Sequence, residues 1–349
     1  MLPVFVACYI LVSVGIGFYV STKVKNTRDF AIAGRHLPLP VVIATVFATW
    51  FGAEAIFGVS STFVNEGLNG LVADPFGASL CLVLAGFLFS KYLYHQNFIT
   101  LGDFYRKRYD RKIEILTSIA ILISYLGWVA AQIKALGLVI HILSDSQIAE
   151  STGMILGTLI VVSYTALGGM LSVAILDFIQ MIVVISGLLF IGWTVSDMTG
   201  GISVVIDHAR VNNKLDFWPK GDIYTWITFF GVWITLMLGS IPQQDVFQRI
   251  TSAKSAKIAF WGSVFGASIY FVFTFVPMFI AYSATLIDPE HFQNIMEFDS
   301  QFVLPEFVIK YTHPFAQIVF FGAVTSAIMS CSSATLLAPS VTFAENVIR

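Results

Sequence analysis

The sequence predicts an all-α protein that crosses the membrane many times, and three observations support this fold class. The chain has 349 residues, of which 57% are hydrophobic and only 11% are charged, and its mean hydropathy is +0.82. Soluble domains carry roughly 25% charged residues. Apolar runs of about 20 residues, long enough to cross roughly 30 Å of hydrocarbon, recur along the whole chain. The predicted partner is therefore a lipid bilayer, and the net charge of −2 argues against nucleic acid.

Nine spans are predicted along the chain. The first lacks the basic segment and the small-residue cleavage site of a signal peptide, so it is kept as a span. The spans cover residues 3–21, 40–66, 71–97, 112–143, 151–167, 171–196, 223–250, 258–285 and 315–343.

The distribution of Lys and Arg predicts the orientation. Basic residues are enriched in cytoplasmic loops, so we expect the N-terminus outside and the C-terminus inside the plasma membrane. The longest outer loops, 197–222 and 286–313, are expected to be solvated cover. The cytoplasmic set is Lys23, Lys25, Arg28, Arg35, Lys91, Arg106, Lys107, Arg108, Arg111, Lys112, Arg249, Lys254, Lys257 and Arg349, and the outer set is Arg210, Lys214, Lys220 and Lys310.

Two predicted spans are interrupted beside polar residues. The second contains Gly52 next to Glu54, and the seventh contains Gly239 and Pro242 shortly before Asp245. Irregular backbone at membrane depth is tolerated where it lines an enclosed cavity. Glycine packing contacts between helices are the alternative, but the adjacent polar residues favour a cavity.

The spacing of the interruptions predicts one transmembrane domain over residues 1–349. Interrupted spans five positions apart are typical of inverted repeats that bind substrate and ion near the bilayer midplane. We expect an extra span and loop at 1–38, a first five-helix repeat at 39–196 and an incomplete second repeat at 223–349.

The ninth span is rich in hydroxyl residues. Ala327, Ser330 and Cys331 have i, i+3, i+4 spacing and share one helix face. A sodium ion takes hydroxyls from an intact helix together with carbonyls from a broken one. Taken alone, the hydroxyl residues of this span are weak evidence for a sodium site, because they could also form hydrogen bonds to their own helix or to neighbouring helices.

Ionisable residues inside spans are costly and usually functional. Here they are Glu54, Asp74, Lys134, Asp177 and Asp245. One expectation is that Lys134 neutralises one of Glu54, Asp74 and Asp245, and the alternative is a role in substrate binding. Four carboxylates against one lysine leave an excess of negative charge, which suits a bound cation.

No enzyme motif is present, since the sequence lacks a nucleophile elbow, a His-Glu-x-x-His helix and a phosphate-binding glycine loop. The three cysteines lie within apolar spans, without disulfide or metal-ligand spacing. We therefore predict that the protein is not an enzyme.

Three motifs carry a resemblance to a known family. They are Gly34-Arg35-His36-Leu37-Pro38, then Gly168-Gly169-Met170-Leu171-Ser172 before Asp177, and Phe247-Gln248-Arg249 followed by Ser252-Ala253-Lys254. With them, the chain resembles the sodium/solute symporter family, which includes sodium–glucose, sodium–proline and high-affinity choline transporters. The resemblance extends from the first span to Arg349.

The resemblance implies a sodium site between the second and ninth spans. The implied ligands are the carbonyls of Ala48, Phe51 and Ala327 and the side chains of Ser330 and Cys331. Cys331 departs from the family, since most members carry a hydroxyl there and a thiol is a weak ligand.

A second sodium is implied in some family members. Its carboxylate matches Asp177, and its two hydroxyls match Ser333 and Ala334, of which only Ser333 carries one. Ala334 therefore departs from the family at this second site.

The resemblance also implies a solute site with mixed character. Trp50 and Trp128 match two positions of an aromatic cage for quaternary ammonium, as in choline transporters, but Gln243 replaces the third aromatic residue. Sugar transporters carry an amide there, and their substrate-binding acid matches Asp74. With Glu54 these residues form the expected solute site, although helix packing also explains the tryptophans.

The predicted function is a sodium-coupled symporter that imports a small polar or cationic organic solute, with Na⁺ as its only cofactor. A choline-like compound, an amino acid or a sugar would fit. The alternatives are a proton-coupled carrier that uses Glu54 or Asp74, and a transporter-like sensor module without transport. Family members continue for several more spans, so the chain is expected to be truncated or a shortened relative.

Overall fold

A computed structural model describes residues 2–349, and these fold into a bundle of α-helices without β-strands. In chain order the helices are α1 (Leu2–Ser21), α2 (Thr27–Ile32), α3 (Leu39–Trp50), α4 (Val59–Glu66), α5 (Ala78–Leu84), α6 (Ser90–Gln96), α7 (Leu101–Arg108), α8 (Arg111–Leu143), α9 (Glu150–Met198), α10 (Ile202–Val211), α11 (Ile223–Gly239), α12 (Gln244–Ser252), α13 (Ala256–Ile287), α14 (Pro289–Asp299), α15 (Val303–Tyr311) and α16 (Pro314–Phe343). Tighter or wider helical turns cover Ala33–Arg35, Glu54–Gly58, Gly67–Leu71, Val72–Gly77, Ala85–Phe89, Ser300–Phe302 and Ala344–Ile348.

Six helical segments of the described chain are long and apolar enough to cross a membrane, and the bent pair α11 and α12 would make a seventh. Two of the six segments are longer than a single membrane crossing requires. Glu54–Gln96 has 43 residues and α9 has 49, whereas about 20 residues are enough to cross a bilayer once. The first leaves helical geometry at Gly67 and Asp74, and α9 does so at Gly169 (φ 51°, ψ −149°). The count of nine spans, which divides both segments, stays a prediction.

Both predicted interruptions are present in the structure. Helix α3 ends at Trp50 because Phe51 adopts φ −85° and ψ 77°, and the helix resumes at Glu54. Helices α11 and α12 meet at an angle of 46°. Each interruption therefore exposes backbone groups at a point where a continuous helix would have bonded them.

Helix α12 lies entirely in the core, and the chain just before α3 is hydrogen-bonded to the C-terminal end of α12. All nine of its residues are buried. The Leu37 amide donates to the Ser252 carbonyl at 3.1 Å, and the Lys254 amide donates to the Leu37 carbonyl at 2.9 Å. Arg249 was assigned to a cytoplasmic loop, and that assignment is wrong, because Arg249 lies within α12 and is only 2% exposed.

Helix α16 occupies the centre of the bundle, against α9, α8, α1 and α3. Every residue from Ala323 to Thr335 is buried. A helix that is buried all round packs on every face, so its hydroxyls meet protein groups rather than water. The central position of α16 brings the predicted serine face against the first interruption.

The segment 286–313, which was predicted to be an outer loop, differs from the expected solvated cover. It forms α14 and α15, and Phe292, Phe307 and Val308 are buried against the main core. The Tyr311 hydroxyl donates to the Asp288 carboxylate, and this hydrogen bond holds the pKa of Asp288 below its ordinary value. The expectation of a purely solvated loop is therefore wrong here.

Candidate functional site

The end of α3 provides two backbone carbonyls without their helical partners. In a continuous helix the amides of Gly52 and Ala53 would bond to the carbonyls of Ala48 and Thr49. Instead, the Gly52 amide donates to the Trp50 carbonyl at 3.1 Å, and the Ala53 amide donates to Gln132 Oε1 at 3.1 Å. Carbonyls released in this way can coordinate a sodium ion.

The polar face of α16 lies against these two carbonyls. Ser330 Oγ lies 3.5 Å from the Ala48 carbonyl oxygen, and Cys331 Sγ donates to the Thr49 carbonyl at 3.0 Å. The structure thus brings together three of the residues predicted for the sodium site, Ala48, Ser330 and Cys331. It adds Thr49, which the sequence pattern did not single out.

The other two predicted sodium ligands lie close by. Phe51 is the buried residue at which α3 is interrupted, and Ala327 is buried one turn before Cys331 on α16. The approach of the two helices depends on Gly52, because a Cβ there would lie 2.6 Å from the Cβ of Cys331. Only glycine fits at this contact without displacing α16.

Asp177 completes an oxygen cluster beside the interruption. Its carboxylate is 0% exposed and accepts hydrogen bonds from the hydroxyls of Thr45 and Ser330. Within residues 2–349, no basic side chain lies within 4.0 Å of it. A hydroxyl that donates its proton to Asp177 keeps its lone pairs free for a cation. The donor set therefore fits a sodium ion.

The residues of the two implied sodium sites are not far apart. Asp177 belongs to the implied second site, yet it bonds directly to Ser330 of the first. Ser333 turns its hydroxyl back to the Ser330 carbonyl at 2.8 Å. Thr45 was missed, although it precedes Ala48 by three residues on the same helix face, and this spacing could have identified it.

A cavity of about 500 Å³ opens next to the first interruption. Its wall includes Glu54, Trp128, Lys134 and Gln301. Lys134 Nζ lies 3.7 Å from Asp299 Oδ2, in an ion pair with the segment 286–313. The charge of Lys134 is therefore already offset, and the carboxylate of Glu54 remains as the uncompensated charge on the wall.

The expected role of Lys134 is wrong. It pairs with Asp299, and it lies farther than 4.0 Å from the carboxylates of Glu54, Asp74 and Asp245. The physical reason is that the segment 286–313 folds back onto the bundle and supplies a carboxylate that spacing along the sequence could not reveal.

Aromatic rings back the cavity. The ring of Trp128 lies 6.0 Å from that of Trp50, edge to face, and 6.0 Å from that of Tyr125, stacked. Trp50 itself lines a much smaller cavity behind this wall, together with Asp245. Tyr125 was missed, although it lies three residues before Trp128 on α8.

The remaining predicted solute residues do not line the cavity. Asp74 accepts a hydrogen bond from the Tyr270 hydroxyl, and the ring of Tyr270 lies 6.2 Å from that of Phe51. The side-chain oxygen of Gln243 is buried just before α12 and has no hydrogen-bond partner. Of the five residues, Glu54 and Trp128 line the cavity.

Interrupted helices around an enclosed ion and solute site define a class of membrane transporters. The profile of the sodium:solute symporter family matches residues 30–348. The chain therefore belongs to the sodium:solute symporter family.

The curated relatives are named for several different solutes. High affinity choline transporter 1 of Homo sapiens is 28% identical over 362 residues, covering 95% of this chain and 59% of the relative. The sodium/glucose cotransporter of Vibrio parahaemolyticus is 24% identical, covering 81% of this chain and 55% of the relative. The sodium/pantothenate symporter of Escherichia coli K12 is 23% identical, covering 97% and 70%. The chain thus spans about three-fifths of the choline transporters that it matches.

A solved structure of a Na⁺-coupled sialic acid symporter, in a substrate-bound outward-open state, has the same fold. It matches with a TM-score of 0.88 at 18% identity, covering 100% of this chain and 75% of that chain. This likeness supports the all-helical symporter fold expected from the sequence.

Proposed function

We propose that the protein is a sodium-coupled symporter that carries a small organic cation. The observation that carries the proposal is the oxygen cluster of Ala48, Asp177 and Ser330, which adjoins a cavity lined by Glu54 and Trp128. Family membership supports the class of transporter, and the names of the curated relatives support sodium as the coupling ion.

Sodium would act by joining two helices. An ion bound between the released carbonyls of α3 and the hydroxyl of Ser330 would hold the interruption against α16. A ligand shifts a conformational equilibrium only by binding one state more tightly than the other. Sodium would therefore favour the state in which the cavity wall is assembled, and this preference would couple the ion to the solute.

The charge on the cavity wall favours a cationic solute. Lys134 is paired with Asp299, so Glu54 gives the wall a net negative charge, and Trp128 adds an aromatic face. An organic ammonium ion is attracted by both groups. The choline transporters among the relatives agree with this choice, whereas a neutral sugar or an anion would leave Glu54 unpaired.

The membrane arrangement that we propose keeps the predicted spans and orientation, without the loop assignment of Arg249. Nine spans would place the N-terminus outside and the C-terminus inside the plasma membrane. The first repeat would cover 39–196 and the second repeat would include 223–349, after the extra segment 1–38. The two interruptions would then face each other near the bilayer midplane.

The test of sodium coupling is uptake into proteoliposomes that contain the full chain, with Ser330→Ala compared with Ser332→Ala. The hydroxyl of Ser332 only bonds back to the Ile328 carbonyl at 2.6 Å, so this variant is the matched control. We expect the half-saturating sodium concentration to rise about tenfold or more in Ser330→Ala, the scale typical of lost site-orienting groups. Unchanged sodium dependence in Ser330→Ala would refute the assignment.

The solute is identified with the unmodified protein. Radiolabelled choline, glucose and pantothenate are offered separately under a sodium gradient and under an equal potassium gradient. Sodium-stimulated uptake of choline alone is expected. Uptake that survives sodium replacement but collapses with a protonophore would instead favour a proton-coupled carrier, in which Glu54 is the accessible carboxylate.

A further inference from the structure

The first residues of α12 contain a buried carboxylate with aromatic partners. Asp245 is 0% exposed and follows directly on the second interruption. Its carboxylate accepts from the indole Nε1 of Trp50 at 2.9 Å and from the hydroxyl of Tyr125. The Asp245 amide in turn donates to the Tyr125 hydroxyl oxygen at 2.9 Å. One residue thus links α12 to the end of α3 and to the middle of α8.

An ion pair within α12 does not explain this residue. Arg249 lies one turn further along, and both line a cavity of about 10 Å³, which has room for roughly one water molecule. However, the guanidinium lies beyond 4.0 Å from Asp245, and within the described chain it donates only to Gln248 Oε1, at 3.3 Å. The direct partners of Asp245 are therefore the two aromatic side chains.

Both aromatic partners of Asp245 touch the wall of the solute cavity. The rings of Trp50 and Tyr125 each lie 6.0 Å from the ring of Trp128, one at its edge and one stacked. Trp128 lines the 500 Å³ cavity, and the other two stand behind it. Fixing these two rings also fixes the ring that faces the cavity, because neighbouring side chains in a packed interior cannot move independently.

The negative charge of Asp245 adds to the preference for cations. A carboxylate behind the rings adds to the negative potential of their faces, to which an ammonium group is drawn. Glu54 acts from the cavity wall itself. Asp245 acts through the aromatic layer, which consists of the rings of Trp50, Tyr125 and Trp128. The two acids would thus favour the same class of solute from two sides.

We infer that Asp245 is a positioning residue that sets the aromatic wall of the cavity for an organic ammonium solute. Its hydrogen bonds hold Trp50 and Tyr125 behind Trp128. Asp245 thereby connects the second interruption with the cavity that lies next to the first interruption. This inference rests on the proposed function for the use of the cavity as the solute site.

The experiment measures binding of choline and tetramethylammonium to the purified full chain in lipid nanodiscs, by quenching of tryptophan fluorescence in saturating sodium. Asp245→Asn and Tyr125→Phe are compared with Ser263→Ala. The Ser263 hydroxyl lines the same small cavity but bonds only to the Ala259 carbonyl at 2.9 Å, which makes it the matched control.

We expect the choline dissociation constant to rise about tenfold in Asp245→Asn and several-fold in Tyr125→Phe, because hydrogen bonds to a charged group are the stronger kind. Sodium-induced thermal stabilisation should stay at its original level in both variants. A lower melting temperature with an unchanged choline dissociation constant would show a structural role only and overturn the inference. If Asp245→Asn does not fold, Tyr125→Phe decides by the same criterion.

The inference and the proposed function can fail separately. Sodium-stimulated uptake of glucose, without saturable binding of either ammonium probe, would overturn the inference and leave a sodium-coupled symporter. Ammonium binding that is weakened by Asp245→Asn, without any sodium dependence, would support the positioning role and refute sodium coupling.

Discussion

Each of the two interruptions lies beside a buried carboxylate, and the neighbours of these carboxylates differ. Asp177 accepts from the hydroxyls of Thr45 and Ser330, next to a released carbonyl. Asp245 accepts from the side chains of Trp50 and Tyr125. Oxygen atoms can coordinate a small hard cation, whereas aromatic faces attract a large soft one. The same acidic group can thus serve an ion site in one place and a solute wall in another.

The two interruptions also differ in how tightly they are packed. A Cβ at Gly52 would lie 2.6 Å from the Cβ of Cys331, whereas a Cβ at Gly239 would meet nothing within 4 Å. Helix α11, before the second interruption, buries only Phe229. The first interruption is therefore packed tightly against a neighbouring helix at its glycine, whereas the second has open space at its glycine.

The difference in packing at the two glycines predicts the largest change in stability and in uptake. Gly52→Ala should lower stability by about 1–3 kcal/mol, the usual cost of overpacking, and should abolish most sodium-stimulated uptake, because α16 and the released carbonyls must move apart. Gly239→Ala is the matched control and should leave both unchanged or slightly improve stability, since alanine favours helix. Melting temperature and uptake of the two variants are measured side by side.

Equal behaviour of the two alanine variants would contradict the comparison. In particular, normal uptake by Gly52→Ala would mean that the contact with Cys331 can relax without cost to the ion site.

The difference between the two carboxylates predicts the next effect. Asp177→Asn removes the charge from the oxygen cluster, and we expect the half-saturating sodium concentration to rise about tenfold or more. Choline binding at saturating sodium should change little, because Asp177 does not touch the aromatic layer. Asp245→Asn should give the opposite pattern, so each variant controls for the other. Sodium titrations of thermal stability and of uptake measure the effect.

Two outcomes would count against this separation of roles. Loss of choline binding in Asp177→Asn at saturating sodium would show that the two regions act as one site. An unchanged half-saturating sodium concentration in Asp177→Asn would show that Asp177 takes no part in the ion site.

The sequence predicted the parts of the fold that depend on local chemistry. Gly52 and Pro242 mark the interruptions because they weaken a helix wherever they occur. The spacing of Ala327, Ser330 and Cys331 placed them on one face, and the structure sets Ser330 and Cys331 against the end of α3. These features need no knowledge of distant contacts.

The parts that depend on distant contacts were missed. Thr45 lies before the first interruption on α3, whereas Gln132 and Tyr125 lie in the unbroken helix α8. The roles of all three come from partners far away in sequence. Lys134 was matched to the wrong acids because its partner, Asp299, lies in the segment 286–313, which folds back onto the bundle. Periodicity shows which residues share a face but not which helix that face will meet.

The smallest predicted effect concerns the departure from the family at Cys331. Its thiol donates to the Thr49 carbonyl at 3.0 Å, beside the released carbonyl of Ala48. A hydroxyl is a better sodium ligand than a thiol, so Cys331→Ser should lower the half-saturating sodium concentration about threefold, a change of roughly 0.6 kcal/mol. The smaller serine should also fit beneath Gly52 without displacing α3.

Cys81→Ser is the matched control, since Cys81 is equally buried and lies outside the oxygen cluster. Sodium titrations of uptake and of thermal stability should be the same for this variant and the unmodified protein. If Cys331→Ser instead weakened sodium binding, the thiol would have to act by filling space against Gly52. The oxygen cluster of Ala48, Asp177 and Ser330 would then hold the ion without any contribution from position 331.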